Sequence, residues 1–127
     1  MATISTVGAS VGTSAVALST AQTGTGASTN VADRGQRFGP ALLTIVSTVG
    51  ATPTVTVDIQ CSADNADWFN VGYALPATPT TLVVTSLTIT TATTGRYILP
   101  PDQPWRYLRL NLSANTNVTL TATLYVP

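Results

Sequence analysis

The sequence predicts an all-β chain, an antiparallel β-sandwich of jelly-roll type carrying an extended N-terminal arm. Three observations lead there. From residue 41 onward β-branched and aromatic residues alternate with polar ones, Gly and Pro punctuate the runs, and no stretch pairs a helical apolar period with caps. The abundance of Thr strengthens the reading, because β-branching restricts χ1 and lowers helix propensity. A chain of 127 residues suits one domain, since domains cluster near ~100–150 residues.

Residues 1–37 read as the arm and 38–127 as the sandwich. The arm is almost entirely Ala, Gly, Ser, Thr and Val, with no charge before Asp33 and no aromatic residue. Such a segment buries little apolar area per residue and repays its ordering entropy poorly alone. Two β-prone pieces lie in it, 3–7 and 14–18, ahead of Thr23-Gly24-Thr25-Gly26. They suit addition as a strand to a neighbour or to the chain's own domain, and deleting the arm is expected to leave the sandwich folded.

The first sandwich strand is expected at 41–48. In the clearest, Thr54-Val55-Thr56-Val57-Asp58-Ile59-Gln60-Cys61, the residues Val55, Val57, Ile59 and Cys61 face one way. A strand at 68–74 follows the turn Ser62-Ala63-Asp64-Asn65-Ala66-Asp67, and Pro76 and Pro79 then mark a loop, because proline cannot donate to a ladder. Alternation resumes at 82–90 and 94–99, and Pro100-Pro101-Asp102-Gln103-Pro104 makes a stiff turn. Strand 105–112 sets Leu108, Leu110 and Leu112 against Trp105, Tyr107 and Arg109, and strand 117–126 sets Val118, Leu120, Ala122, Leu124 and Val126 against Thr and Tyr. The expected core is Val55, Val57, Ile59, Leu108, Leu110, Leu112, Val118, Leu120 and Leu124.

Composition narrows function. Charged residues are 8% of the chain, with five Arg, five Asp and no Lys, Glu or His, against roughly 25% in ordinary soluble domains. Zero net charge carries no basic footprint for nucleic acid. It also removes the repulsion that keeps free proteins apart, so the surface suits partners in an assembly. Cys61 is the single cysteine, which excludes an internal disulfide and a tetrahedral Cys/His metal site. No apolar run approaches the ~20 residues of a membrane-spanning helix. The N-terminal residues lack the basic and apolar regions of a secretion signal, so production and use without export are expected. On that expectation Asn111-Leu112-Ser113 and Asn117-Val118-Thr119 are chance matches to the glycosylation pattern.

Enzymatic chemistry is not expected. Without His, Lys or Glu, acid–base work falls to five Asp and hydroxyls. Asp64 and Asp67 share one turn, where bonds to nearby backbone N–H groups explain them better than a glycosidase pair or a calcium loop, whose glycine and glutamate are missing. Gly24-Thr25-Gly26 lacks a following lysine and supports no nucleotide site. No cofactor or metal is expected. Trp68, Phe69, Tyr73, Trp105 and Tyr107 lie at strand starts or edges, where packing or interface is the commoner use of a ring than a sugar platform. Arg109 shares a face with Trp105 and Tyr107, which favours guanidinium stacking or pairing with an Asp. The interface candidates are Arg34, Arg37, Phe38, Trp68, Trp105 and Arg109.

Ile59-Gln60-Cys61-Ser62-Ala63-Asp64-Asn65-Ala66-Asp67-Trp68-Phe69-Asn70-Val71, followed later by Trp105-Arg106-Tyr107-Leu108-Arg109-Leu110, resembles a layout of discoidin-like sandwiches and of small virion proteins of tailed bacteriophages. With its Thr/Ala/Gly-rich arm, few charges and Thr-rich last strand, the chain is similar to capsid decoration, or cement, proteins over about residues 38–127. Asp64-Asn65-Ala66 stands where Asp-Gly is usual and leaves the turn type open. The resemblance implies a homotrimeric structural protein on the outer capsid surface, made in the host cytoplasm, that clamps neighbouring major capsid subunits and binds neither nucleic acid nor membrane. A structural protein of tail or fibre, and a carbohydrate-binding β-sandwich module, are the rival expectations.

Overall fold

A computed structural model describes residues 14–35, 40–100 and 106–126, and every regular element in them is a strand. In chain order these are β1 (Ser14–Gln22), β2 (Gly26–Ala27), β3 (Ala32–Asp33), β4 (Ala41–Ser62), β5 (Phe69–Asn70), β6 (Tyr73–Leu75), β7 (Thr78–Val83), β8 (Leu87–Ile89), β9 (Thr93–Leu99) and β10 (Tyr107–Val126). All pair antiparallel. The protein is all-β and sandwich-like, as the alternation predicts.

The frame is a ribbon of two long strands. β4 and β10 pair from Leu42↔Tyr125 to Ser62↔Tyr107. The sequence suggests two strands in each place, 41–48 with 54–61 and 105–112 with 117–126, because residues 50–53 carry Gly and Pro and 113–117 are polar. The chain bends there without leaving its partner: residues 50–53 stand opposite Asn117, between the pairs Val49↔Val118 and Thr54↔Thr116. Thr52 (φ 49°) and Asn117 (φ 55°) take left-handed conformations at the bend, and Asn117 Nδ2 donates to the Ala51 carbonyl at 2.7 Å. The left-handed region suits Asn and penalises a β-branched residue, so this bond helps hold the crease.

Flanking strands extend each half. β1 pairs with residues 120–126 of β10 and β9 with 41–47 of β4, while β2 and β3 pair with β10 and β5 and β8 with β4 on the other half. The path through the sheet runs β1-β10-β4-β9-β6-β7. Odd positions of β4 and even positions of β10 point inward on both sides of the crease. One apolar cluster therefore joins Leu43, Ile45, Val55, Val57 and Ile59 to Leu108, Leu110, Leu112, Val118, Leu120 and Leu124. All nine expected core residues are at most 3% exposed. Each such side chain contributes about 1.5–3 kcal/mol on leaving water.

The described part of the 1–37 segment lies on its own domain. β1, β2 and β3 run along β10, and Leu18 (0% exposed) and Ala32 (1%) belong to the core. Ser28 makes a second tie: its hydroxyl donates to the Asn30 carbonyl at 2.9 Å and accepts the Leu110 N–H at 3.2 Å. The expected strand at 3–7 lies outside the described residues. The change of composition near residue 38 is thus not where packing stops.

Two other expectations shift in detail. The strand expected over 68–74 divides into β5 and β6 around Val71 and Gly72, where a side chain at Gly72 would meet Leu82 and the Val83 carbonyl. The loop expected around Pro76 and Pro79 contains β7, which ends the strand path, the position in a sheet where proline forfeits no ladder bond.

Candidate functional site

The turn after β4 is closed by its own side chains. The Ser62 hydroxyl donates to Asp64 Oδ1 at 2.9 Å and accepts the backbone N–H groups of Asp64 and Asn65, at 3.2 and 2.9 Å. Asp64 Oδ1 also accepts from the N–H of Ala66 and of Asp67, each at 2.9 Å. These bonds, from Asp67 and Ala66 first and then Ser62, hold the Asp64 carboxyl below its ordinary range. Asn65 sits at φ 61°, which explains an Asn where Asp-Gly is usual: it tolerates the left-handed region better than most residues with a Cβ. The Asx-turn reading therefore holds. Among the described residues no three His, Cys, Asp or Glu gather as metal ligands.

That turn delivers Trp68 to the outer face of the ribbon's second half. Gln60 of β4 stands between Arg109 of β10 and Asn70 of β5 in register. Arg109 Nε donates to Gln60 Oε1 at 2.9 Å, and Gln60 Nε2 donates to Asn70 Oδ1 at 3.2 Å. The Arg109 guanidinium lies 4.2 Å from the centre of the Trp68 ring, within the range of a cation–π contact. Both residues are half-buried. The expected stacking of Arg109 is present, with Trp68 as its ring and Gln60, not an Asp, as its acceptor.

Farther along the same face Arg106 meets Asp33 at 3.0 Å and lies 5.0 Å from the Tyr107 ring centre. The Arg106 bond lowers the Asp33 pKa against the opposing effect of burial, with lesser help from the Gly35 N–H. Asp58 accepts the Ser86 hydroxyl. Arg34 sits beside this edge, its N–H donating to the Arg106 carbonyl at 2.7 Å. Structure thus brings Trp68 and Arg109 together and sets Arg34 near Arg106. Arg37, Phe38 and Trp105 lie outside the described residues.

Gln60 and Asn70 were not among the sequence candidates. Their signal was the outward parity of Gln60 in the clearest strand, and it gains meaning only once the register is known. Cys61, on the inner face, is buried, and burial pushes its thiol up to about 11.

Two depressions among the described residues offer little to a small ligand. One between Asp58, Asn70, Tyr73 and Ser86 holds about 40 Å³, far below the ~300 Å³ at which ligand pockets begin. Another, broad and open at about 360 Å³, lies at the crease and is lined by Thr23, Thr48, Val49, Gly50, Asn117, Val118 and Thr119, with neither charge nor ring.

No family model and no curated protein sequence matches the chain. In fold it is similar to the SPBc2 prophage-derived protein YomS, with a TM-score of 0.63 and 12% identity, covering 91% of this chain and 93% of that one.

Proposed function

We propose that this protein is a structural component of a bacteriophage virion that decorates the outer capsid surface, clamps neighbouring major capsid subunits as a small closed oligomer, a homotrimer by family resemblance, and catalyses no reaction. The observation that carries the phage reading is the near end-to-end likeness of fold to a prophage-derived protein. Capsid decoration rests on the sequence resemblance and on the charge-poor composition, which suits a surface covered by partners. Closed symmetry satisfies such surfaces without open-ended aggregation, and several copies reach high avidity through modest contacts.

Cryo-electron microscopy and mass spectrometry of virions from the source phage test the reading, together with sedimentation of the purified chain and its binding to undecorated capsids. Protrusions of matching size on the capsid, a trimeric sedimentation mass and saturable binding are expected. Location in tail or fibre would replace the capsid assignment. A monomer that ignores capsids and binds glycans through Trp68 would establish the carbohydrate-binding reading instead.

A further inference from the structure

Arg109 is held unlike an ordinary surface arginine. Its plane is set by the Trp68 ring at 4.2 Å and its Nε–H is committed to Gln60, itself steadied by Asn70. The N–H groups on Nη1 and Nη2 remain, and the described residues offer them no acceptor. Among the described carboxylates Asp58 holds the Ser86 hydroxyl, Asp33 holds Arg106 and Asp64 closes its own turn, and none, Asp67 beside Trp68 included, forms an ion pair with Arg109. Arg96, by contrast, is exposed on the other half and stacks on no ring among the described residues.

A guanidinium is weakly hydrated, stacks on aromatic faces and offers paired N–H groups that match both oxygens of a carboxylate. Fixing it in advance removes much of the ordering cost of binding, and Arg and Trp are the residues most enriched at interface hot spots. We propose that Trp68, Gln60 and Arg109 form a preorganised receptor for an Asp or Glu side chain on the protein surface against which this chain docks. Charge complementarity selects the occupant: a fixed cation with no carboxylate among the described residues, on a chain whose net charge is zero, takes an acidic group from outside. If the docking surface is the capsid, the inference rests on that reading for the partner's identity. It does not rest on it for the chemistry of the site.

Two measurements separate these. In an NMR titration of the full chain, sodium acetate should shift the Arg109 Nε–H and Trp68 indole signals saturably, while neutral acetamide leaves them unmoved. Arg109→Gln should abolish the Trp68 response. Unmoved signals, or a response at Arg96 equal to that at Arg109, would overturn the proposal. On capsids, Arg109→Gln should weaken binding about tenfold or more, with Arg109→Lys falling between it and the parent because charge survives without the fork. Equal binding by parent and Arg109→Gln would sink the receptor while leaving decoration intact. If the parent chain fails to bind capsids, decoration falls and the acetate titration alone decides. Asp102→Asn should leave the acetate response unchanged. A response that appears or strengthens there would assign the carboxylate to this chain and refute an external partner. Self-association abolished by Arg109→Gln would identify a second copy, not the capsid, as the occupant.

Discussion

The two halves of the β4–β10 ribbon share an inner face and differ on the outer one. Residues 41–49 and 118–126 present the rows Leu42–Tyr125, Thr44–Thr123, Val46–Thr121 and Thr48–Thr119, beside which Arg96 is the charge on β9. Residues 54–62 and 107–116 present Asp58–Asn111 and Gln60–Arg109 instead, with Trp68 and the Arg106–Asp33 pair nearby. Inner positions in both halves are mostly Leu, Ile and Val, with Ala41, Ser47, Cys61 and Ala122 among them. Folding therefore asks the same of both halves, and their outer faces are free to diverge. The half with fixed charges and rings is equipped for a specific contact, while the Thr-rich half, with Val46 at 42% and Tyr125 at 37% exposure, offers a broad neutral one.

The largest expected effect comes from removing residues 1–35. The described part supplies Leu18, Ala32 and three strands along β10, which spans both halves. Loss of a cooperative thermal transition is expected, or a cost above the ~5 kcal/mol upper end for one core leucine. Calorimetry of the truncated chain decides it. A shortened protein that melts like the parent would restore the view of the segment as a dispensable arm.

Next come Leu43→Ala and Leu110→Ala, one in each half and both 0% exposed. Each should cost about 2–5 kcal/mol in denaturant unfolding. If one costs under ~0.5 kcal/mol, the halves do not share a common core. Gly95→Ala follows at about 1–3 kcal/mol, the usual cost of overpacking. A Cβ there would collide with the Tyr97 ring, which in turn packs edge-on against Tyr73 at 5.4 Å and 84°.

Smallest is Arg106→Gln. Its ion pair with Asp33 is about half exposed on both sides, so solvent screening leaves only a slight loss of stability. The sign of its pH dependence is defined. Asp33 titrates below the ordinary Asp range when folded, so its contribution is present above about pH 4 and fades as pH falls through the lowered value. Thermal midpoints of parent and variant should converge in acid. With no His, Lys or Glu, both should be nearly flat from about pH 5 to 8.

Alternation made the inner face readable, because parity in a strand maps directly onto burial: all nine expected core positions are buried, as is Cys61. Two kinds of feature were not readable. Continuity through the crease was hidden, since Gly50 and Pro53 look like chain reversal while the pairing that carries β4 onward belongs to β10, more than sixty residues away. Leu18 was hard to place, because its alternation with Val16 is too short, among Ala, Ser and Thr, to reveal a partner. The site was half legible. Trp68 and Arg109 stand out by residue type, but their meeting depends on the register that places Gln60 between Arg109 and Asn70.

The crease also constrains how genes for such proteins can drift. Inward positions are odd in β4 on both sides of it, from Ser47 to Val55, and even in β10, from Leu112 to Val118. Residues 50–53 already stand outside the ladder against the single Asn117, so codons gained or lost there change the size of the crease while the pairs on either side keep their faces. A codon gained between Val55 and Ile59 would instead turn the apolar positions beyond it toward water. Among related genes, length variation should therefore gather at the crease and avoid the ladders beside it.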